Sequence, residues 1–170
     1  LRNCMIEYAD SEGEHQDYYG SGSRTYHEAV VVVATHVDFE GCTFRRLPDA
    51  SAGAEGDAIA IFSDDPDVPG TASANIRRCQ FLSIGQGIHE RFSHVLVEEC
   101  FFTGKRGDND DVDLWGESDP PPVIRRCRFI DPEHDDTINP TRCSAIIVDN
   151  FITGTDDHGL VLRDSGHPVV

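Results

Sequence analysis

Carboxylates crowd a few short stretches of this chain. Asp108-Asn109-Asp110-Asp111-Val112-Asp113 packs four acids and an amide into six residues. Asp135 and Asp136 stand just before Thr137-Ile138, and Asp156, Asp157 and His158 just before Gly159-Leu160. Two carboxylates about 5 Å apart repel by about 1 kcal/mol in water and by more in a protein. Something must offset that repulsion. Calcium is one answer, and Asp108, Asp110 and Asp111 supply the oxygen density for Ca²⁺ without the full spacing of an EF-hand loop. Backbone N–H groups in tight turns are a second answer, and shifted pKa values a third. The same acids could do chemistry. Asp110, Asp111, Asp113 and Asp136 could include a general acid and base pair, and His89 or Arg91 could abstract a proton in an elimination.

Such residues act only if the chain brings them to one surface, and a repeat supplies the means. Ile76-Arg77-Arg78-Cys79-Gln80-Phe81, Val97-Glu98-Glu99-Cys100-Phe101-Phe102 and Ile124-Arg125-Arg126-Cys127-Arg128-Phe129 are copies of one phrase. Leu1 to Ile6 and Phe39 to Phe44 are further copies, and Ile147 to Ile152 carries Asn150 in the Cys column. A shorter phrase alternates with it: Ala58-Ile59-Ala60-Ile61, Gly87-Ile88-His89-Glu90, Asp111-Val112-Asp113-Leu114, Thr137-Ile138-Asn139-Pro140 and Gly159-Leu160-Val161-Leu162. Ala29-Val30-Val31-Val32 reads as its first copy. The apolar period is two, and one pair of phrases fills roughly 20 to 30 residues, the unit length of a β-solenoid. Successive coils then stack at about 4.8 Å.

The spacing inside the long phrase sets its shape. The first apolar residue and the Cys are three apart, out of phase for one strand, so the chain bends between them and the two intervening residues face outward. Cys4, Cys42, Cys79, Cys100 and Cys127 then stack inside a corner as small buried thiols, Asn150 continues the stack, and Cys143 lies off it as a loop thiol. The outward charges alternate in sign from coil to coil, a structural ladder. In the shorter phrase a column of Gly56, Gly85, Asn109, Asp135 and Asp157 reads as a left-handed turn.

Stacking the shorter phrase puts Ile59, Ile88, Val112, Ile138 and Leu160 inside. His89, Asp113 and Asn139 then point out, followed by Arg91, Trp115, Thr141 and Arg163. An exposed indole beside Arg, Asp and Asn suits a sugar, which needs a stacking plate and convergent hydrogen bonds.

The paired phrases resemble the right-handed parallel β-helix proteins of the pectate-lyase-like superfamily, and Asn150 resembles the asparagine ladder at one corner of those folds. The resemblance runs from Val37 to Arg163 and implies an all-β, right-handed parallel β-helix of about six coils. It leaves activity open, because the fold carries lyases, hydrolases, epimerases, adhesins and inert stalks. The clustered Asp residues resemble those of polygalacturonase-type hydrolases, whose Arg-x-Lys element is absent here. Gly107 to Leu114 and Asp156 to Gly159 also resemble β-helix regions of large secreted bacterial surface proteins.

Charge narrows the classes. The formal net charge is −17 over 170 residues, which argues against nucleic acid and anionic membranes as partners. No run of about 18 apolar residues suggests membrane insertion. The expectation is a single domain over residues 1–170, a piece of a longer secreted or cell-surface protein with further domains. It would present a polysaccharide-facing surface without catalysis, with a polysaccharide lyase or glycoside hydrolase, or a passive stalk, as alternatives. Its cofactor is none or Ca²⁺.

Overall fold

The computed structural model describes residues 1–7, 29–46, 57–63, 71–104, 110–131, 136–155, 157–163 and 169–170. The stretches between coils that the sequence reads as projecting loops, Tyr8 to Ala29 and the Asp-, Gly- and Pro-rich Arg45 to Glu55 and Ser63 to Ser73, lie largely outside these residues. All regular structure among the described residues is strand: β1 (Met5–Glu7), β2 (Val30–Val33), β3 (His36–Glu40), β4 (Thr43–Arg45), β5 (Asp57–Phe62), β6 (Ser73–Arg77), β7 (Gln80–Leu82), β8 (Gln86–Arg91), β9 (His94–Glu98), β10 (Phe101–Thr103), β11 (Val112–Trp115), β12 (Val123–Arg125), β13 (Arg128–Ile130), β14 (Ile138–Thr141), β15 (Ile146–Val148) and β16 (Phe151–Thr153).

Three sheets take these strands in strict rotation. One holds β1-β4-β7-β10-β13-β16, the second β2-β5-β8-β11-β14 and the third β3-β6-β9-β12-β15. Every pairing between them is parallel. A chain that visits three sheets in turn and advances one strand each time has a solenoid-like architecture. Isolated bridges from Ile138 to Leu160, Thr141 to Arg163 and Ile146 to Val169 continue the rotation past β16.

The bends are left-handed backbone. Asn3, Gly41, Arg78, Glu99, Arg126 and Asp149, each just before the Cys column, have φ between 51° and 62°. A non-glycine residue in this region costs about 1–2 kcal/mol. The corner N–H offsets part of that by donating to the next rung, as Arg78 N does to Glu98 O at 3.0 Å and Glu99 N to Arg125 O at 3.1 Å. The bend required by the three-residue spacing is therefore real. The other turn expectation needs correction: Gly85 and Asp157 do not have positive φ, and Gly56, Asn109 and Asp135 lie outside the described residues. The left-handed residues there are Ser83, Gly104, Asp131 and Gly154, immediately after the strands of the first sheet. The chain turns as soon as the strand ends, before it reaches the Gly/Asp column.

Inside, the columns stack as their spacing demands. Cys42, Cys79, Cys100 and Cys127 are buried, and all six cysteines are free thiols. Cys79, Cys100 and Cys127 donate to carbonyls two residues back at 3.3–3.4 Å. Asn150 accepts from Cys127 N and donates to Ile124 O, both at 2.9 Å, so it ties two rungs together. Cys143 lies off the column in the segment between β14 and β15, as expected of a loop thiol, and is fully buried against the core. Phe44, Phe81, Phe102 and Phe129 form a continuous stack with centroids 5.0, 4.4 and 4.6 Å apart and nearly parallel rings. Each such pair stabilises by about 0.5–1.5 kcal/mol beyond the area it buries. At the corner, Glu98 pairs with Arg77 at 3.2 Å and with Arg125 at 2.8 Å, and also with Arg126. The alternating charges are a ladder of ion pairs, as the repeat requires.

Candidate functional site

The outer face of the second sheet collects most of the residues whose chemistry the sequence brings forward. Register places His89 beside Asp113 and Asp113 beside Asn139 on successive rungs. One step along, Arg91, Trp115 and Thr141 align, and Arg163 bridges to Thr141. The strands put them on one side because the inward positions of the phrase, Ile59, Ile88, Val112 and Ile138, are fully buried.

The face is less open than simple alternation implies. His89 is 1% exposed and Asn139 8%, while Asp113, Trp115 and Arg91 are half-buried and Arg163 is exposed. The expectation that His89 and Asn139 present themselves to solvent is therefore corrected. The cause is the residue two places before each inward apolar one. Asp57 and Asp110 tuck under the outer face and bond to the following coil. Asp57 Oδ2 lies 3.1 Å from His89 Nδ1, and Asn139 Nδ2 donates to Asp110 Oδ2 at 2.9 Å. Asp57 is not among the candidate residues read from the sequence; it stands two places before the inward Ile59, in the column that Gln86, Asp110, Asp136 and His158 continue. The recurrence of Asp at that column was the signal available.

His89 is the centre of the first cluster. Arg91 Nε donates to His89 Nε2 at 2.9 Å, and Asp113 Oδ2 lies 3.7 Å from the same nitrogen. Phe62 stands edge-on to the imidazole at 5.4 Å. In this arrangement Nε2 is an acceptor and Nδ1–H donates to Asp57, the neutral tautomer. Burial pulls the His89 pKa down, but the carboxylate of Asp57, followed by that of Asp113, outweighs it and holds the pKa above the ordinary value. Protonation would bring a second N–H against Arg91, so the two ring states demand different positions of Arg91.

The next two clusters lie further along the sheet. Thr141 Oγ1 is 3.3 Å from Asn139 Oδ1, extending the Asp110 pair. Asp136 is 1% exposed and accepts from Arg163 at 3.0 Å, with His158 Nδ1 3.1 Å from its other oxygen. Asp157 Oδ1 is 2.7 Å from the same His158 nitrogen. Trp115 is held edge-on by Phe92 at 5.1 Å, and the Arg142 guanidinium lies 5.9 Å from its ring centroid. Gly116 follows Trp115 with φ 88°, and a side chain there would run into the Phe92 ring.

The candidate acids thus separate into pairs. Asp113 faces His89, Asp110 faces Asn139, and Asp136 faces Arg163 and His158. Asp111 is buried, and its carbonyl accepts from Ile88 N at 3.0 Å. Of the calcium trio, Asp108 lies outside the described residues, and Asp110 and Asp111 are both buried. Among the described residues, Asp136, Asp157 and His158 form a group whose ligand atoms all lie within 4.8 Å of one another. Its imidazole suits a transition metal better than calcium.

No helix of the described residues is long and apolar enough to cross a membrane. In comparisons with known proteins, no family model, no curated protein and no solved structure matches this chain.

Proposed function

We propose that this chain is a module of a secreted or cell-surface protein that binds a polysaccharide on the outer face of its second sheet, without catalysis. It would be a right-handed parallel β-helix of the pectate-lyase-like kind, accompanied by further domains. The observation that carries the reading is the in-register column Arg91–Trp115–Thr141–Arg163 beside Asp113 and Asn139. The Trp115 indole, with Arg91 on one neighbouring rung, Thr141 on the other and Arg163 beyond it, offers a sugar ring a stacking surface and its hydroxyls polar partners. The acids of the face are occupied by His, Asn and Arg, an arrangement for holding shape rather than for passing protons between two carboxylates. The strongly acidic chain fits a salty extracellular medium.

Calorimetric titration with a panel of acidic and neutral oligosaccharides, with Ca²⁺ and with chelator, tests it. Saturable binding weakened tenfold or more in Trp115→Ala and Arg163→Ala is expected. A panel without binding, or equal affinity in Trp115→Ala, overturns it.

One observation favours a lyase or hydrolase instead: the buried Asp57–His89 pair with Asp113 beside it, a His whose proton affinity is raised at the edge of the same column. Turnover of the panel, read at 235 nm or as reducing ends and lost in Asp113→Ala, would establish that reading.

A further inference from the structure

The third sheet carries a separate constellation on its outer face. β3 and β6 pair so that His36 lies beside Ser73 and Asp38 beside Asn75. His36 and Asp38 on β3 and Ser73 and Asn75 on β6 face out, because the residues alternating with them, Val37, Phe39, Ala74 and Ile76, pack in or against the core. His36 Nδ1 is 2.8 Å from Ser73 Oγ, and its Nε2 is 3.3 Å from Asp38 Oδ1. Asn75 Nδ2 donates to the same Asp38 oxygen at 2.8 Å. Asn75 Nδ2 also lies 3.3 Å from His36 Nε2; with its proton given to Asp38, the tautomer in which Nδ1 accepts the Ser73 hydroxyl proton and Nε2–H donates to Asp38 satisfies the hydrogen bonds of the cluster. Nucleophile, base and orienting acid then stand in line, the roles by which a serine triad is recognised whatever its fold or chain order.

We propose that Ser73, His36 and Asp38 form a hydrolytic site for small activated esters with an apolar acyl group, on a different face from the polysaccharide column. Ser73 Oγ attacks the ester carbonyl while its proton passes to His36 Nδ1. The Oγ–C bond forms and the carbonyl π pair moves to oxygen. When the tetrahedral species collapses, the C–O bond to the alcohol breaks and the leaving alkoxide takes the proton from His36. Water then repeats the sequence on the acyl-Ser73 ester, returning free Ser73 and a carboxylic acid. Asp38 is a positioning residue, and Asn75 holds it in place. The Asn75 amide, and then His36, keep its carboxyl below the ordinary pKa, so it stays ionised as the imidazolium forms.

The neighbouring rungs define the acyl class. The outward column that begins with Asp38 and Asn75 continues through Leu96, Val123 and Ile146. All three are half-buried and apolar, and they run for about 10 Å at the strand spacing. His36 and Asp38 are 51% and 60% exposed. A developing oxyanion there is screened by water and forgoes stabilisation worth about 10²–10³-fold per buried donor. Reactive esters, not amides, are therefore the substrates.

The test uses p-nitrophenyl butyrate hydrolysis and a fluorophosphonate probe read by peptide mass spectrometry, with Ser73→Ala, His36→Gln and Asp38→Asn. His36 and Asp38 are exposed and Ser73 is half-buried, so circular dichroism should confirm intact folding. Expected results are labelling at Ser73, a loss of at least tenfold in hydrolysis for the first two variants, and for Asp38→Asn a lower kcat at unchanged KM. Absence of label at Ser73, or wild-type hydrolysis by Ser73→Ala, would overturn the proposal.

Discussion

His89 and Asp57 meet at 3.1 Å across adjacent rungs, and both side chains are within 1% of complete burial. The pair is therefore structural and electrostatic at once. Removing one partner of such a pair costs about 3–5 kcal/mol. Asp57→Asn should destabilise the fold by about that amount at pH values low enough to protonate His89, and by less above the folded pKa, measured by urea denaturation. The same substitution should drop the His89 pKa, because burial then acts with only Asp113 opposing it, and an NMR titration of the ring would show the fall. In the wild type the folded pKa is raised. The stabilising contribution is thus fully present below the unfolded value and is lost as pH rises through the folded one.

Glu90 points into the core, in line with Ile61 and Leu114, and is completely buried. One oxygen accepts from Ser93 N; the other has no hydrogen-bond partner among the described residues. Burial pushes its pKa well above the ordinary carboxyl value, so the folded chain keeps a proton that the unfolded chain releases. Stability should therefore fall as pH rises from the unfolded pKa toward the folded one. Glu90→Gln keeps the acceptor for Ser93 and removes that slope. We expect a gain of about 1–3 kcal/mol at pH 7 and no gain at pH 4, read from denaturation midpoints at the two pH values.

The phenylalanine stack predicts a position-dependent cost. Phe102 is sandwiched between Phe81 and Phe129 at 4.4 and 4.6 Å. Phe102→Ala should cost about 3–5 kcal/mol, with Phe102→Leu costing less because most of the volume survives. A shift of the same size for both variants in thermal unfolding would contradict the stacking account.

Thiol reactivity follows the columns. Cys42, Cys79, Cys100, Cys127 and Cys143 are buried, and Cys4 is only partly so. Under native conditions a thiol reagent should modify Cys4 first and leave the other five, which become reactive only on unfolding. Burial, the main cause, pushes the Cys100 and Cys143 thiols up and makes them poor nucleophiles.

Asn150 replaces the thiol at the last position of its column and makes two rung-to-rung hydrogen bonds. Asn150→Ala leaves Cys127 N and Ile124 O without that partner and should cost about 1–3 kcal/mol. Amide exchange at Cys127 should accelerate selectively.

Much of this architecture is legible in the one-dimensional order of residues. A strand alternates its faces every residue, and an in-register stack repeats the same types at the same step. The Cys column, the Phe column and the alternating Arg/Glu corner are therefore visible as recurring letters, and so are the neighbours Arg91, Trp115, Asn139 and Arg163. Local spacing also demands the bend before each Cys, because three residues are out of phase with a strand.

Tertiary structure decided what alternation leaves open. His89 and Asn139 occupy outward positions yet are buried, because Asp57 and Asp110, at the entry to preceding strands, fold under them. Glu90 occupies an inward position that sequence reasoning would give to an apolar residue, and it stays there as a carboxyl held by Ser93 N. The Asp residues crowd a few short stretches of the chain, but successive rungs distribute them to different partners. His36 and Ser73 lie 37 residues apart, and only the register of β3 on β6 brings them into contact. Periodicity specifies which side of a sheet a residue takes; which partner waits there depends on the lateral packing of neighbouring coils.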